Sequence, residues 1–133
     1  MRVSELMQRA VKTVSPDAAV NEAVVTLADS HISALPVVDG VGRMVGVISS
    51  TDILTSEAEA ADATAREALF EGTVVRDLMT PHPLTVSPDA DVRAAAQQML
   101  YADIHRLFVV DGERVVGVVS TTDIMQAVAN GRL

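Results

Sequence analysis

Two short segments carry polar side chains at a spacing that could do chemistry. The first is Ser49-Ser50-Thr51-Asp52 and the second Ser120-Thr121-Thr122-Asp123, each directly after a β-branched apolar run. Ser-x-x-Asp at the start of a helix is a capping box, in which hydroxyl and carboxylate satisfy free backbone N–H groups. The same residues are also suited to a ligand. A carboxylate accepts hydrogen bonds from two hydroxyls at once, and the N–H groups of a helix start favour anions. The two readings are compatible, because Ser can cap while Asp binds. A third polar pair, His105-Arg106, stands just before another apolar run. It offers a permanently charged guanidinium and a pH-sensitive imidazole. The alternative for Arg106 is an ion pair with Asp103 or another acid.

The elements that position these residues occur twice. Val3-Ser4-Glu5-Leu6-Met7 recurs as Val75-Arg76-Asp77-Leu78-Met79, and Thr13-Val14-Ser15-Pro16-Asp17-Ala18 recurs unchanged as residues 85–90. The offset of 72 residues holds to Asp39-Gly40 and Asp111-Gly112; one residue is then lost, and Gly46–Ile53 matches Gly117–Ile124. Self-similarity of this kind marks a repeated structural unit. The repeats span 1–56 and 75–133, with an Ala-rich linker over 57–74. Each reads as strand, helix, strand, strand, helix. Thr13-Val14 and Thr85-Val86 are short strands. Ser15 and Ser87 are expected helix N-caps, each with Pro at the first helical position. Leu35–Val38 and Met44–Ile48 form a hairpin across Asp39-Gly40, and Leu107–Val110 and Val115–Val119 form another across Asp111-Gly112. The second helix of the first repeat is expected to run on through the linker as far as Gly72. The fold class is α+β (mixed α/β), with two tandem β-α-β-β-α repeats sharing a core.

Composition removes several function classes. The 133 residues hold 10 Lys and Arg against 18 Asp and Glu, a net charge of -8, and 2% aromatics. That combination opposes binding to nucleic acid polymers, which rests on basic side chains and stacking platforms. No Cys is present, so disulfides, thiolate zinc sites and cysteine nucleophiles are excluded. No pair among His31, His82 and His105 has metal-ligand spacing. No long apolar run or signal-peptide core occurs, so a cytoplasmic protein with no membrane partner is the expectation. No nucleophile–base pair or metal cluster supports an enzyme.

The ordered set Leu-Met, Thr-Val-Ser-Pro-Asp, Leu-Pro-Val-Val-Asp and Gly-Val-Ile-Ser-x-x-Asp-Ile resembles the cystathionine-β-synthase (CBS) domain. Its double occurrence resembles a stand-alone CBS pair packed about a pseudo-two-fold axis. The resemblance implies a regulatory module with clefts between the repeats for an adenosine-containing ligand: AMP, ADP, ATP, NAD or S-adenosylmethionine. It implies that Ser49, Asp52, Ser120 and Asp123 hold the sugar. The adenine slot falls on Thr13, Val14, Leu35, Pro36, Thr85, Val86, Leu107 and Phe108, mostly through main-chain groups. His105 and Arg106 match a phosphate-contacting pair, which Ser33 and Ala34 of the first repeat cannot replace, so two unequal sites are expected. A homodimer formed through helices and a separate regulated protein are the implied partners. No catalytic residues, metal or catalytic cofactor are expected. The competing function is a protein-interaction scaffold with no physiological ligand.

Overall fold

Runs of β-branched residues ended by Gly-containing turns form the strands, and the amphipathic segments between them form the helices. The computed structural model describes all residues, 1–133, as a mixed α/β chain with six α-helices and two three-stranded sheets. In order, they are a 3₁₀ turn (Val3–Glu5), α1 (Val20–Ser30), β1 (Ala34–Val38), β2 (Met44–Ser49), α2 (Ser50–Glu59), α3 (Ala63–Gly72), α4 (Val75–Leu78), β3 (Thr80–Pro81), β4 (Thr85–Val86), α5 (Val92–Ala102), β5 (Arg106–Asp111), β6 (Arg114–Ser120) and α6 (Thr121–Ala129). One sheet has the order β1-β2-β3 and the other β4-β5-β6.

The compact units do not follow the repeat boundaries read from the sequence. One unit is Lys12–Pro83; the other joins Met1–Val11 to Leu84–Leu133. The apolar surface of each leading segment explains this. Val3, Leu6 and Met7 lie in one core with Val92, Met99, Leu107, Val109 and Val119. Val75 lies in the other core with Val20, Leu27, Leu35, Val37 and Ile48, and Leu78 and Met79 pack against it. The segment that precedes each repeat in the chain thus plugs the core of the other.

The same exchange explains Gly46 and Gly117. Gln8 pairs with Val118 at the β6 edge, and β3 pairs with β2 through Gly46–Pro81 and Val47–Thr80. A Cβ at Gly117 would stand 2.7 Å from Met7 Sδ and 2.9 Å from the carbonyl oxygen of Gln8; at Gly46 it would stand 2.7 Å from Met79 Sδ and 2.9 Å from that of Thr80. A thioether can move aside, but a hydrogen-bonded backbone carbonyl cannot do so cheaply.

Two expectations are corrected. Ser15 and Ser87 are not helix N-caps: α1 begins after Ala19, and α5 after Asp91, whose side chain accepts from Arg93 N. Ser15 and Ser87 instead accept from the N–H groups of Asp17 and Asp89 in tight turns. The turn carbonyls of Pro16 and Ala18 accept from Arg76 and Val75, and those of Pro88 and Ala90 from Ser4 and Val3. A helix would direct those carbonyls along its own axis, so docking of the plugging segments forbids it. The linker helix is not continuous either. The chain breaks after Glu59, and the Asp62 carboxylate caps a new helix by accepting from Ala65 N at 2.8 Å. The first hairpin turns at Asp39-Gly40 as expected, with Gly42 at a positive φ of 91°. Asp39 organises that loop. Its carboxyl is held below its ordinary pKa chiefly by the Arg43 backbone N–H, then by the Val41 N–H and the Arg43 guanidinium.

Helices α1 and α5 both end on a residue in the left-handed conformation, His31 at φ 53° and Asp103 at φ 54°. Aspartate tolerates this region and histidine does so less well. His31→Gly is expected to raise stability by about 0.5–1 kcal/mol, the relieved strain less the entropy cost of glycine. Asp103→Gly should gain less, and thermal melting of the two variants checks the order. Gly46→Ala and Gly117→Ala should each cost about 1–3 kcal/mol by overpacking, read as a lower melting temperature.

Candidate ligand-binding site

Each hairpin ends in the same corner. β2 runs out at Ser49 and β6 at Ser120, and a helix starts at the next residue. Ser49 Oγ accepts from Asp52 N at 3.1 Å, and Asp52 Oδ2 accepts from Ser49 N at 2.9 Å. Ser120 Oγ accepts from Asp123 N at 3.1 Å, and Asp123 Oδ2 accepts from Ser120 N at 2.8 Å. Both are complete capping boxes. Capping occupies one carboxylate oxygen of each aspartate and leaves the other. Both aspartates are half-buried, and the capping bonds fix their orientation.

Strand pairing decides what surrounds each corner. Side chains alternate between sheet faces, and directly paired residues share a face. Leu107 and Val109 enter the core, so Arg106 and Phe108 stand on the opposite face of β5. Arg106 pairs with Ser120, Phe108 with Val118 and Thr85 with Phe108. That face therefore carries Thr85, Phe108, Val118, Arg106 and Ser120. In the other unit Ala34 pairs with Ser49 and Pro36 with Val47, and Leu35 and Val37 are buried in the core. Alternation next to Val14, whose backbone bridges to Val37, puts Thr13 on the same face as Pro36. Of the eight adenine-slot positions, Thr13, Pro36, Thr85 and Phe108 thus share a face with the serines. Val14, Leu35, Val86 and Leu107 face away from it and are buried, and on the serine face Pro36 and Phe108 are buried as well.

Arg106 is half-buried and belongs to none of the chain's three ion pairs, Arg2–Asp89, Arg43–Asp39 and Arg76–Asp17. The alternative pairing with Asp103 does not form. A guanidinium without a carboxylate, across the strand from Ser120, leaves its donors available to an anion. The matching position beside Ser49 is Ala34. His105 is not part of this arrangement. It is exposed and lines a groove of about 280 Å³ on the helix side, with Met99, Leu100, Ile104, Ile124 and Met125. The structure separates the two members of the His-Arg pair.

A residue the sequence did not signal completes the Ser120 corner. Gln8 Nε2 donates to Asp123 Oδ1 at 3.3 Å across 115 positions of chain. The groove near His105 has a counterpart of about 270 Å³ between α1 and α2, one wall of which is Phe70 from α3. No group of three or more His, Asp or Glu is placed to hold a metal ion. No helix is long and apolar enough to cross a membrane.

The comparisons with known proteins agree with this architecture. The chain is 32% identical over 126 residues to an inosine-5'-monophosphate dehydrogenase of Methanocaldococcus jannaschii, covering 94% of this chain and 23% of that protein. It is 27% identical over 135 residues to the chloroplastic CBS domain-containing protein CBSX1 of Arabidopsis thaliana, covering 86% and 57% respectively. The chain thus spans from 23% to 57% of these relatives' lengths. Two solved structures superpose along nearly the whole chain. CBSX2 in complex with AMP has a TM-score of 0.84 at 29% identity, covering 99% of this chain and 98% of that one. The CBS domain pair of protein MJ0100, in complex with 5'-methylthioadenosine and S-adenosyl-L-methionine, has a TM-score of 0.82 at 27% identity, covering 98% of both. The CBS domain model matches residues 3–59 and again 75–130, so this chain belongs to the CBS domain family as a tandem pair.

Proposed function

We propose that this chain is a regulatory module that binds an adenosine-containing ligand on the Ser/Asp-bearing sheet faces. The observation that carries the reading is Arg106, a half-buried residue with no carboxylate partner, paired across β5 and β6 with Ser120. The superposition with pairs that hold AMP or S-adenosylmethionine supports the adenosyl class. Asp123 and Asp52 take the ribose hydroxyls, and Arg106 takes phosphate. The Ser49 corner has Ala34 where the other has Arg106, so it favours adenosyl ligands without a phosphate chain. Binding regulates a separate partner only through unequal affinity for two states of the module. Each serine and aspartate is also accounted for by capping its helix start, which is the feature favouring the alternative of an interaction scaffold.

A thermal-shift panel of AMP, ADP, ATP, NAD and S-adenosylmethionine separates the two readings. A ligand at 100 times its Kd should stabilise the fold by about 2.7 kcal/mol, whereas a scaffold shows no shift at millimolar ligand. In calorimetry, Arg106→Ala should weaken ADP about 10- to 100-fold, the worth of a charged hydrogen bond. Its effect on adenosine should be small. Asp123→Ala should weaken both. Equal ADP affinity at two sites, or in Arg106→Ala, would count against the assignment.

The partner surface proposed for a homodimer is the α5/α6 face, where Leu100 is 82% exposed and Met125 64% exposed beside an apolar groove. Light scattering should give a two-chain mass for the native chain and a one-chain mass for Leu100→Asp/Met125→Asp. A one-chain native mass would refute it.

A further inference from the structure

Gln8 is held in place by its backbone. Its N–H donates to the carbonyl of Val118 at 2.8 Å, and its carbonyl accepts from Val118 N at 2.9 Å. Pairing with Val118 puts its side chain on the face that carries Phe108, Thr85 and Ser120. From there Nε2 donates to Asp123 Oδ1, the oxygen that capping leaves over. The amide orientation follows from chemistry, because a carboxylate cannot face a carbonyl oxygen. In the other unit the matching position is Thr80, paired with Val47, and Asp52 Oδ1 receives no hydrogen bond. Threonine is too short to repeat the contact.

We infer that Gln8 is a specificity-determining residue of the Ser120–Asp123 corner, making it selective for a sugar with both hydroxyls of a ribose. This rests on the reading that the corner holds the sugar of an adenosyl ligand. The amide donates one hydrogen to Asp123 and keeps Oε1 as a second acceptor beside the carboxylate. A cis-diol is shared between Oδ1 and Oε1. A 2'-deoxy sugar leaves one of these acceptors without a partner once water is displaced, and an unmet acceptor penalises the wrong ligand more than a met one rewards the right ligand. The Ser49 corner, with Thr80 in place of Gln8, discriminates less. Selectivity for ribose and affinity for phosphate, from Arg106, therefore gather at the same corner, and a segment from the chain's start builds half of the sugar contact.

The test is calorimetry of ADP and 2'-deoxy-ADP on an Asp52→Ala background, which isolates the Ser120–Asp123 corner. With Gln8 present, ADP is expected to bind about fivefold or more tightly than its deoxy analogue, the worth of about one hydrogen bond. Gln8→Ala and Gln8→Met should bring the ratio close to one, with ADP binding weakened but still measurable through Asp123 and Arg106. Gln8→Met keeps the side-chain length, and both variants keep the backbone pairing, so the ligand-free melting temperature should not move. An unchanged ratio in both variants overturns the role of Gln8 and leaves the adenosyl reading intact. Loss of the ratio in Asp123→Ala but not at Gln8 does the same. Failure of the native chain to bind any adenosyl ligand overturns both.

Discussion

The fold depends on each small sheet being completed by a segment from elsewhere in the chain. A unit built only from one repeat would leave the β6 or β2 edge open and the core above it uncovered. A core this thin cannot tolerate that, because a unit of about 60 residues buries a modest fraction of its surface. Val3, Leu6 and Met7 close one core, and Val75, Leu78 and Met79 close the other. The sheet edges pair at Gln8 and at Thr80–Pro81. Glycine at positions 117 and 46 follows from that closeness, since the docked carbonyls leave no room for a Cβ. Those two glycines recur because both edges are closed the same way.

Closure also shapes the site. The segment that seals the β6 edge ends at Gln8, so the residue that finishes the sheet is the one that reaches Asp123. The carboxylate is presented by the start of α6, and the charge beside Ser120 comes from the start of β5. Three parts of the chain, far apart in sequence, meet at one corner. The equivalent corner at Ser49 has the same capping box with Ala34 and Thr80 around it. Two corners at matching positions of the repeat thus differ in charge and in hydrogen-bonding capacity, while the scaffold beneath them stays the same.

Local signals in the sequence carry through to the structure where the local backbone settles the outcome. Ser49–Asp52 and Ser120–Asp123 are capping boxes because the spacing places hydroxyl and carboxylate over the first turn whatever surrounds them. The hairpins follow from apolar runs and turns. Ser15-Pro16 and Ser87-Pro88 misled because the same residues favour an N-cap and a serine turn, and hydrogen bonds from Val75, Arg76, Val3 and Ser4 choose the turn. His105 and Arg106 are neighbours in sequence, yet neighbours beside a strand point to different sides. The break at residues 60–62 turned on Asp62 as a cap, a signal present in the sequence but masked by the alanine periodicity.

The sequence by itself determined the repeat, the family, the two capped corners and the inequality of Arg106 and Ala34, because each is a matter of residue identity at a fixed short spacing. Only the tertiary structure decided which segment seals which core, that Arg106 has no acid beside it, that His105 belongs to the helix side, and that Gln8 meets Asp123. These are pairings across long stretches of chain. They are fixed by burial of apolar side chains and by the need to satisfy sheet edges, and neither leaves a local mark on the residues involved.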